Sequence, residues 1–170
     1  MRGLRWCAPL LMFAFLHVAL GAKGPTTRIA ISVPGLASPA EITDAATLDH
    51  FGVWSGPGVT VNGREQSQGF IIDWMAGVVD AHPEGLLRYE VSFYVTPASR
   101  LAPSPEEQLA YVVSYEPDPT GGRGYVYLPG KGDERYALNT RTIFRNREGQ
   151  WFRASEAWDR AAQSVIDRRR

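Results

Sequence analysis

The chain has 170 residues, 44% of them hydrophobic and 21% charged, the balance of one globular domain; this excludes a disordered tail or a fibrous repeat. Its 18 basic residues match its 18 acidic ones, so the formal net charge is zero and no whole-molecule field gathers nucleic acid or anionic lipid.

Residues 1–22, MRGLRWCAPLLMFAFLHVALGA, open with Arg2 and Arg5 and continue as an apolar run from Trp6 to Leu20 that ends in small residues. This is the pattern of a secretory signal peptide. Cleavage after Gly21 places Ala19 and Gly21 at the two small-residue positions, and cleavage after Ala22 is the near alternative. An uncleaved anchor is the competing reading. The run is short for a full span and is interrupted by Pro9 and His17. Residues 23–170 are then expected to form a single globular domain, periplasmic or secreted, with no stable membrane span once the signal is removed. Cys7 leaves with the signal, which excludes a disulfide framework, a cysteine zinc site and a cysteine nucleophile. No N-x-[ST] acceptor occurs. Export without disulfides or acceptors fits a bacterial envelope.

Beyond the signal the charge is uneven. Residues 23–122 hold 5 basic and 12 acidic residues, and residues 123–170 hold 11 basic and 6 acidic. The two parts can attract each other within one fold, the favoured reading, or present a dipolar surface to a partner.

In chain order, RIAISV at 28–33 alternates apolar and polar residues and predicts a half-buried strand ending at Pro34-Gly35. Thr43-Asp44 caps a short helix with Leu48 and Phe51 on its apolar side and Gly52 at its end. Residues 52–67 read as loop and GFIIDW at 69–74 as a strand. Residues 75–87 are ambiguous, with HPEG as a turn. The clearest strand is Tyr89 to Thr96, with Tyr89, Val91, Phe93 and Val95 on one face and Glu90, Ser92, Tyr94 and Thr96 on the other. One dry and one wet face imply a mostly antiparallel sheet. A proline-rich loop follows, then strands at 109–115 and 125–128. RYALNTRTIF also reads as strand, and NREG as the turn of a hairpin between 143–145 and 150–153. Ser155 caps a final helix whose Ala157, Trp158, Ala161, Ala162, Val165 and Ile166 share one face.

PGKGDE at 129–134 has the residue types of a phosphate loop but not its order. A Walker loop needs G-x-x-x-x-G-K-[ST] running into a helix, and here Lys131 is followed by Gly132. The stretch reads as a hairpin loop between two strands.

The stretches ISVPGLASPAEITD, YEVSFYV and YVYLPGKGDERYALNTRTIFRNREGQWFRASEAWD resemble a set of small exported bacterial proteins. The resemblance spans most of residues 23–170. It implies a bacterial, exported domain and carries no activity.

Catalytic patterns are thin. His50 ends the short helix, where it satisfies the last carbonyls. Asp80, His82 and Glu84, with Asp73 nearby, offer oxygen and imidazole donors but no recognised ligand spacing, and a turn is the better reading of HPEG. Ser55 in WSGPG lacks the G-x-S-x-G context, and Asp44, Asp49 and Asp73 have capping or solvated roles open to them. No metal, cofactor or catalytic residue is expected. The aromatics offer more. Tyr125 and Tyr127 share one strand face, so they are exposed if Val126 and Leu128 face the core. Tyr94 lies on the polar face of its own strand, Arg123 and Arg135 flank the loop, and Trp54 sits among glycines and a proline. Such a patch stacks sugars or grips a protein. The plainer reading, cross-strand pairs covering the sheet, is favoured by the same spacing.

The expected fold is α+β: a mainly antiparallel sheet of about six or seven strands, a short N-terminal helix and a C-terminal amphipathic helix. A curled sheet or sandwich-like body is the alternative. The expected function is an exported, non-catalytic domain that binds a partner protein or an envelope glycan through Tyr94, Tyr125, Tyr127, Arg123, Arg135 and Trp54, with no nucleic acid. A small hydrolase built around Asp73–Glu84 is the alternative, and an inhibitor acting through loops 52–67 or 97–108 is a third reading.

Overall fold

A computed structural model describes residues 24–97 and 106–169. The signal-like segment and most of the loop at 97–108 therefore lie outside the described residues. Among the described residues no helix is long and apolar enough to cross a membrane.

The architecture is α+β. Strands β1 (Thr26–Ser32), β2 (Ala40–Ile42), β5 (Tyr89–Val95), β6 (Gln108–Glu116), β7 (Tyr125–Tyr127) and β8 (Trp151–Arg153) form one six-stranded sheet in the order β2-β1-β5-β6-β7-β8. Every neighbouring pair is antiparallel. Two-residue strands β3 (Thr60–Val61) and β4 (Arg64–Glu65) make a separate small hairpin within the expected loop 52–67. Asn62 and Gly63 both have positive φ there, which matches the twist that tight hairpins require.

Register explains the two faces. Tyr89, Val91 and Phe93 of β5 stand opposite Tyr115, Val113 and Tyr111 of β6. Tyr115 stands opposite Val126, and Val126 opposite Phe152. All of these are buried, as are Ile29 and Ile31 of β1. This inner face packs on helix α1 (Ala45–His50), on Phe70 to Ile72, and on the C-terminal helix α3 (Glu156–Asp167). As expected, Asp44 caps α1 by accepting from the Thr47 N–H, and Ser155 caps α3 by accepting from the Trp158 N–H. Trp158, Ala162, Val165 and Ile166 fill the core, whereas Ala157 faces solvent.

Three polar contacts lock the layers. Asp159, buried on α3, accepts from the Tyr115 hydroxyl at 2.7 Å and from the Gly124 N–H at 3.1 Å. Asn139 has no exposed surface. Its amide donates to the Val112 carbonyl at 2.6 Å and accepts from the Val112 N–H at 2.8 Å. Val112 lies two residues before the first β6 residue that pairs with β7, so the side-chain amide continues the ladder where antiparallel β7 has already ended. Arg145, 2% exposed, donates to the carbonyls of Ser55, Pro57 and Val53 at 2.8, 2.8 and 2.9 Å and lies over the Phe70 ring at 4.4 Å. Gly58 permits this clamp: a Cβ there would collide with the Phe144 carbonyl.

Four expectations are corrected. Residues 69–74 form no strand. Gly69 and Phe70 both have positive φ, and the segment pairs with the sheet only through isolated bridges, Ile72 to Ala154 and, further on, Val78 to Phe152. Asp73 then starts a 3-10 turn at Trp74–Ala76 by accepting from the Met75 and Ala76 N–H groups. RYALNTRTIF contains helix α2 (Tyr136–Thr142), not a strand. Its threonines favour strand, but Asn139 binds it across the molecule to β6, and tertiary contacts override propensity. PGKGDE thus joins β7 to α2 and is not a hairpin loop. Asp133 holds it closed, accepting from the Gly130 N–H at 2.7 Å and the Tyr127 hydroxyl at 2.9 Å. Residues 143–145 likewise form no strand. Glu148 accepts from the Arg145 and Arg147 N–H groups and folds this turn on itself, so β8 pairs with β7.

Burial drives the Asp159 carboxyl above its ordinary value, against the opposing pull of the Tyr115 hydroxyl and the Gly124 amide. The folded state therefore holds this proton more tightly than the unfolded chain. Its contribution to stability is fully present in acid and is lost as pH rises through the folded value. Asp159→Asn keeps both bonds available, because its oxygen can face Gly124 and its amide the Tyr115 oxygen. The stability of Asp159→Asn relative to wild type should rise with pH from about 4 upward. Urea unfolding at a series of pH values checks this, and a difference that falls with pH contradicts it.

Candidate functional site

The outer face of the sheet is where polar and aromatic chemistry gathers. Register places Glu90, Ser114, Tyr127 and Trp151 in one row across β5, β6, β7 and β8. Four strands at about 4.8 Å spacing make this row roughly 14 Å long. All four residues are half-buried. Helix α2 packs on β6 at one side of the row. The connection that runs from the 3-10 turn to β5 crosses the other.

That connection is anchored by a buried charge. Glu116, at the end of β6, is 2% exposed. Its Oε1 accepts from Arg88 Nε at 2.6 Å. Its Oε2 lies 2.9 Å from His82 Nε2, without the alignment of a hydrogen bond. His82 stacks on Trp151 with ring centres 3.8 Å apart and planes 17° apart, and meets Tyr125 edge-on at 5.1 Å. Arg88 lies over Trp151, its guanidinium carbon 5.4 Å from the ring centre. Tyr127 stands beside Trp151 at 5.0 Å, tilted by 36°. Burial raises the Tyr127 hydroxyl pKa, and its bond to Asp133 adds to the shift. His82, Arg88, Glu116 and Glu84 also line a cavity of about 480 Å³.

The six residues expected at the site fall in different places. Tyr127 and Arg135 belong to this face, and Arg135 pairs with Glu90 at 3.3 Å. Tyr125 points the same way but is 4% exposed, covered by His82 and by Arg153 at 4.0 Å; the expected exposure of its ring is corrected. Tyr94 is on the outer face at the opposite end, beneath the Arg28 guanidinium at 3.8 Å. Arg123 turns away to pair with Asp73 beside a separate cavity. Trp54 packs against the core, and its indole N–H donates to the Gly24 carbonyl. Two of these ion pairs, Arg123 with Asp73 and Arg135 with Glu90, join the basic part of the chain to the acidic part. Asp73 caps its turn, and Asp80 and Glu84 are exposed. Among the described residues no group of three or more His, Cys, Asp or Glu converges to hold a metal ion.

Sequence reasoning missed Trp151, Arg88 and Glu116. Trp151 was legible in principle, since pairing 125–127 with 151–153 puts it opposite Tyr127. Arg88 and Glu116 carry no local signal, because only the fold brings residues 28 positions apart into contact. Comparison with family models, curated proteins and solved structures finds no match to this chain.

The stack of His82 on Trp151 contributes about 1 kcal/mol beyond simple area burial. His82→Ala should therefore destabilise the domain by about 1–2 kcal/mol in urea unfolding, uncovering Tyr125. An unchanged midpoint would contradict the packing role given to His82.

Proposed function

We propose that the chain is an exported, non-catalytic domain that binds an envelope glycan on the outer face of its sheet. The observation that carries this reading is the pair of adjacent, half-buried rings of Tyr127 and Trp151, set side by side on paired strands. Rings held on a sheet lose little rotamer freedom on binding, and the parts of Trp151 and Tyr127 that His82 leaves uncovered offer apolar contact to the C–H face of a sugar. Polar groups for sugar hydroxyls stand in the same row, at Ser114 and Glu90, with Arg135 beside them. Export rests on residues 1–22, read from the sequence.

Envelope oligosaccharides titrated by calorimetry test the reading. Trp151→Ala should weaken binding by at least tenfold, about 1.4 kcal/mol, while the domain still unfolds cooperatively. Unchanged affinity in both Trp151→Ala and Tyr127→Ala would contradict the platform. Binding of an envelope protein, with no saccharide bound, would move the reading to a protein partner.

A second reading, a small exported hydrolase, has one contact in its favour: buried Glu116 lies 2.9 Å from His82, an acid beside a potential base, though without an aligned hydrogen bond. It differs from the sequence expectation in resting on Glu116 instead of Asp73 or Asp80. No cleavage of ester, peptide and polysaccharide panels would remove it.

A further inference from the structure

On the reading that Tyr127 and Trp151 form a saccharide platform, we infer that the saccharide carries an anionic group, a carboxylate or a phosphate, and that Arg88 grips it. Arg88 directly precedes β5 and reaches over the outer face. Glu116 takes its Nε at 2.6 Å and so fixes the guanidinium from its inner edge. The two terminal amino groups have no partner among the described residues, and the side chain is 59% exposed. The guanidinium stands at the edge of the ring pair, over Trp151 and near enough to Tyr127 for its charge to act on that hydroxyl.

A surface arginine normally loses rotamer freedom when it binds. This one is already held by a buried carboxylate, which lowers that cost. Its outer fork matches a carboxylate or phosphate in bidentate geometry, which a lysine cannot reproduce. Glu116 meets Arg88 at Nε, so the outer fork of the guanidinium keeps its donors open to a second anion. Glu84 and Glu90 stand nearby and disfavour a polyanion. The ligand that fits has one acidic group per recognised unit, beside hydroxyls and a stackable ring: a uronic acid or a phosphorylated sugar.

Calorimetric titration of the purified chain with methyl glucuronide, with its methyl ester and with glucose 6-phosphate tests this. The acid should bind at least tenfold tighter than the ester, with the difference shrinking at high salt. Arg88→Gln should collapse that difference, and Arg88→Lys should restore only part of it. Trp151→Ala should weaken acid and ester alike. Stronger binding of the sugar phosphate than of the uronate would identify phosphate as the recognised group, and the reverse would identify carboxylate. Equal affinity for acid and ester, unmoved by Arg88→Gln, would overturn the inference and leave the platform standing. No binding of acid, ester or sugar phosphate would overturn both.

Discussion

A carboxylate taken almost out of water sets the terms for this molecule. Glu116 ends the longest strand of the sheet with 2% of its surface exposed. An ion so placed costs several kcal/mol unless partners compensate it. Both partners, Arg88 and His82, come from the connection that links the 3-10 turn to β5. Arg88 bonded to one carboxylate oxygen and His82 beside the other pin that connection over β7 and β8. The pinned segment lays His82 across Tyr125 and Trp151 and leaves Arg88 over the Trp151 ring with its fork outward. Fold and candidate site share this one contact.

The rest of the structure divides two jobs between two faces. The inner face is a closed apolar layer under α1, α3 and the irregular segment around Phe70 to Ile72. Buried polar side chains tie its layers together at Asp159 and Arg145. Arg145 uses three carbonyls and an aromatic face in place of a close carboxylate partner, which suits a guanidinium better than an ammonium. The outer face is covered in two separate places. Helix α2 covers it at β6 through Asn139, and the 77–88 connection covers it at β7 and β8. The row from Glu90 to Trp151 lies between these covers, which is why its residues are half-buried.

The sequence was most legible where one local rule suffices. Alternation in Tyr89 to Val95 is strict because one face is wholly apolar, and the caps at Asp44 and Ser155 act over three residues. It was least legible where distant contacts decide. Residues 136–142 have strand-like threonines, and their helix is fixed by a side-chain amide bound to β6. Residues 69–74 look like a strand, yet positive φ at Gly69 and Phe70 breaks the extended chain. The site divides in the same way. Tyr127 and Arg135 were readable from strand parity and from their position around a glycine-rich loop. Tyr125 obeys the same parity but is buried by His82, 43 residues away. Trp151 needed the β7–β8 pairing, and Arg88 needed the buried charge of Glu116.

The central claim is that the outer row around Trp151 is the surface this domain uses. Nitrogen-15 labelled protein gives each tryptophan a separate indole N–H signal, so the site can be read directly during a titration with an acidic oligosaccharide. The account predicts that the Trp151 indole signal shifts while those of Trp54, Trp74 and Trp158 stay in place. Movement of the Trp54 or Trp74 signal with Trp151 unmoved would contradict it.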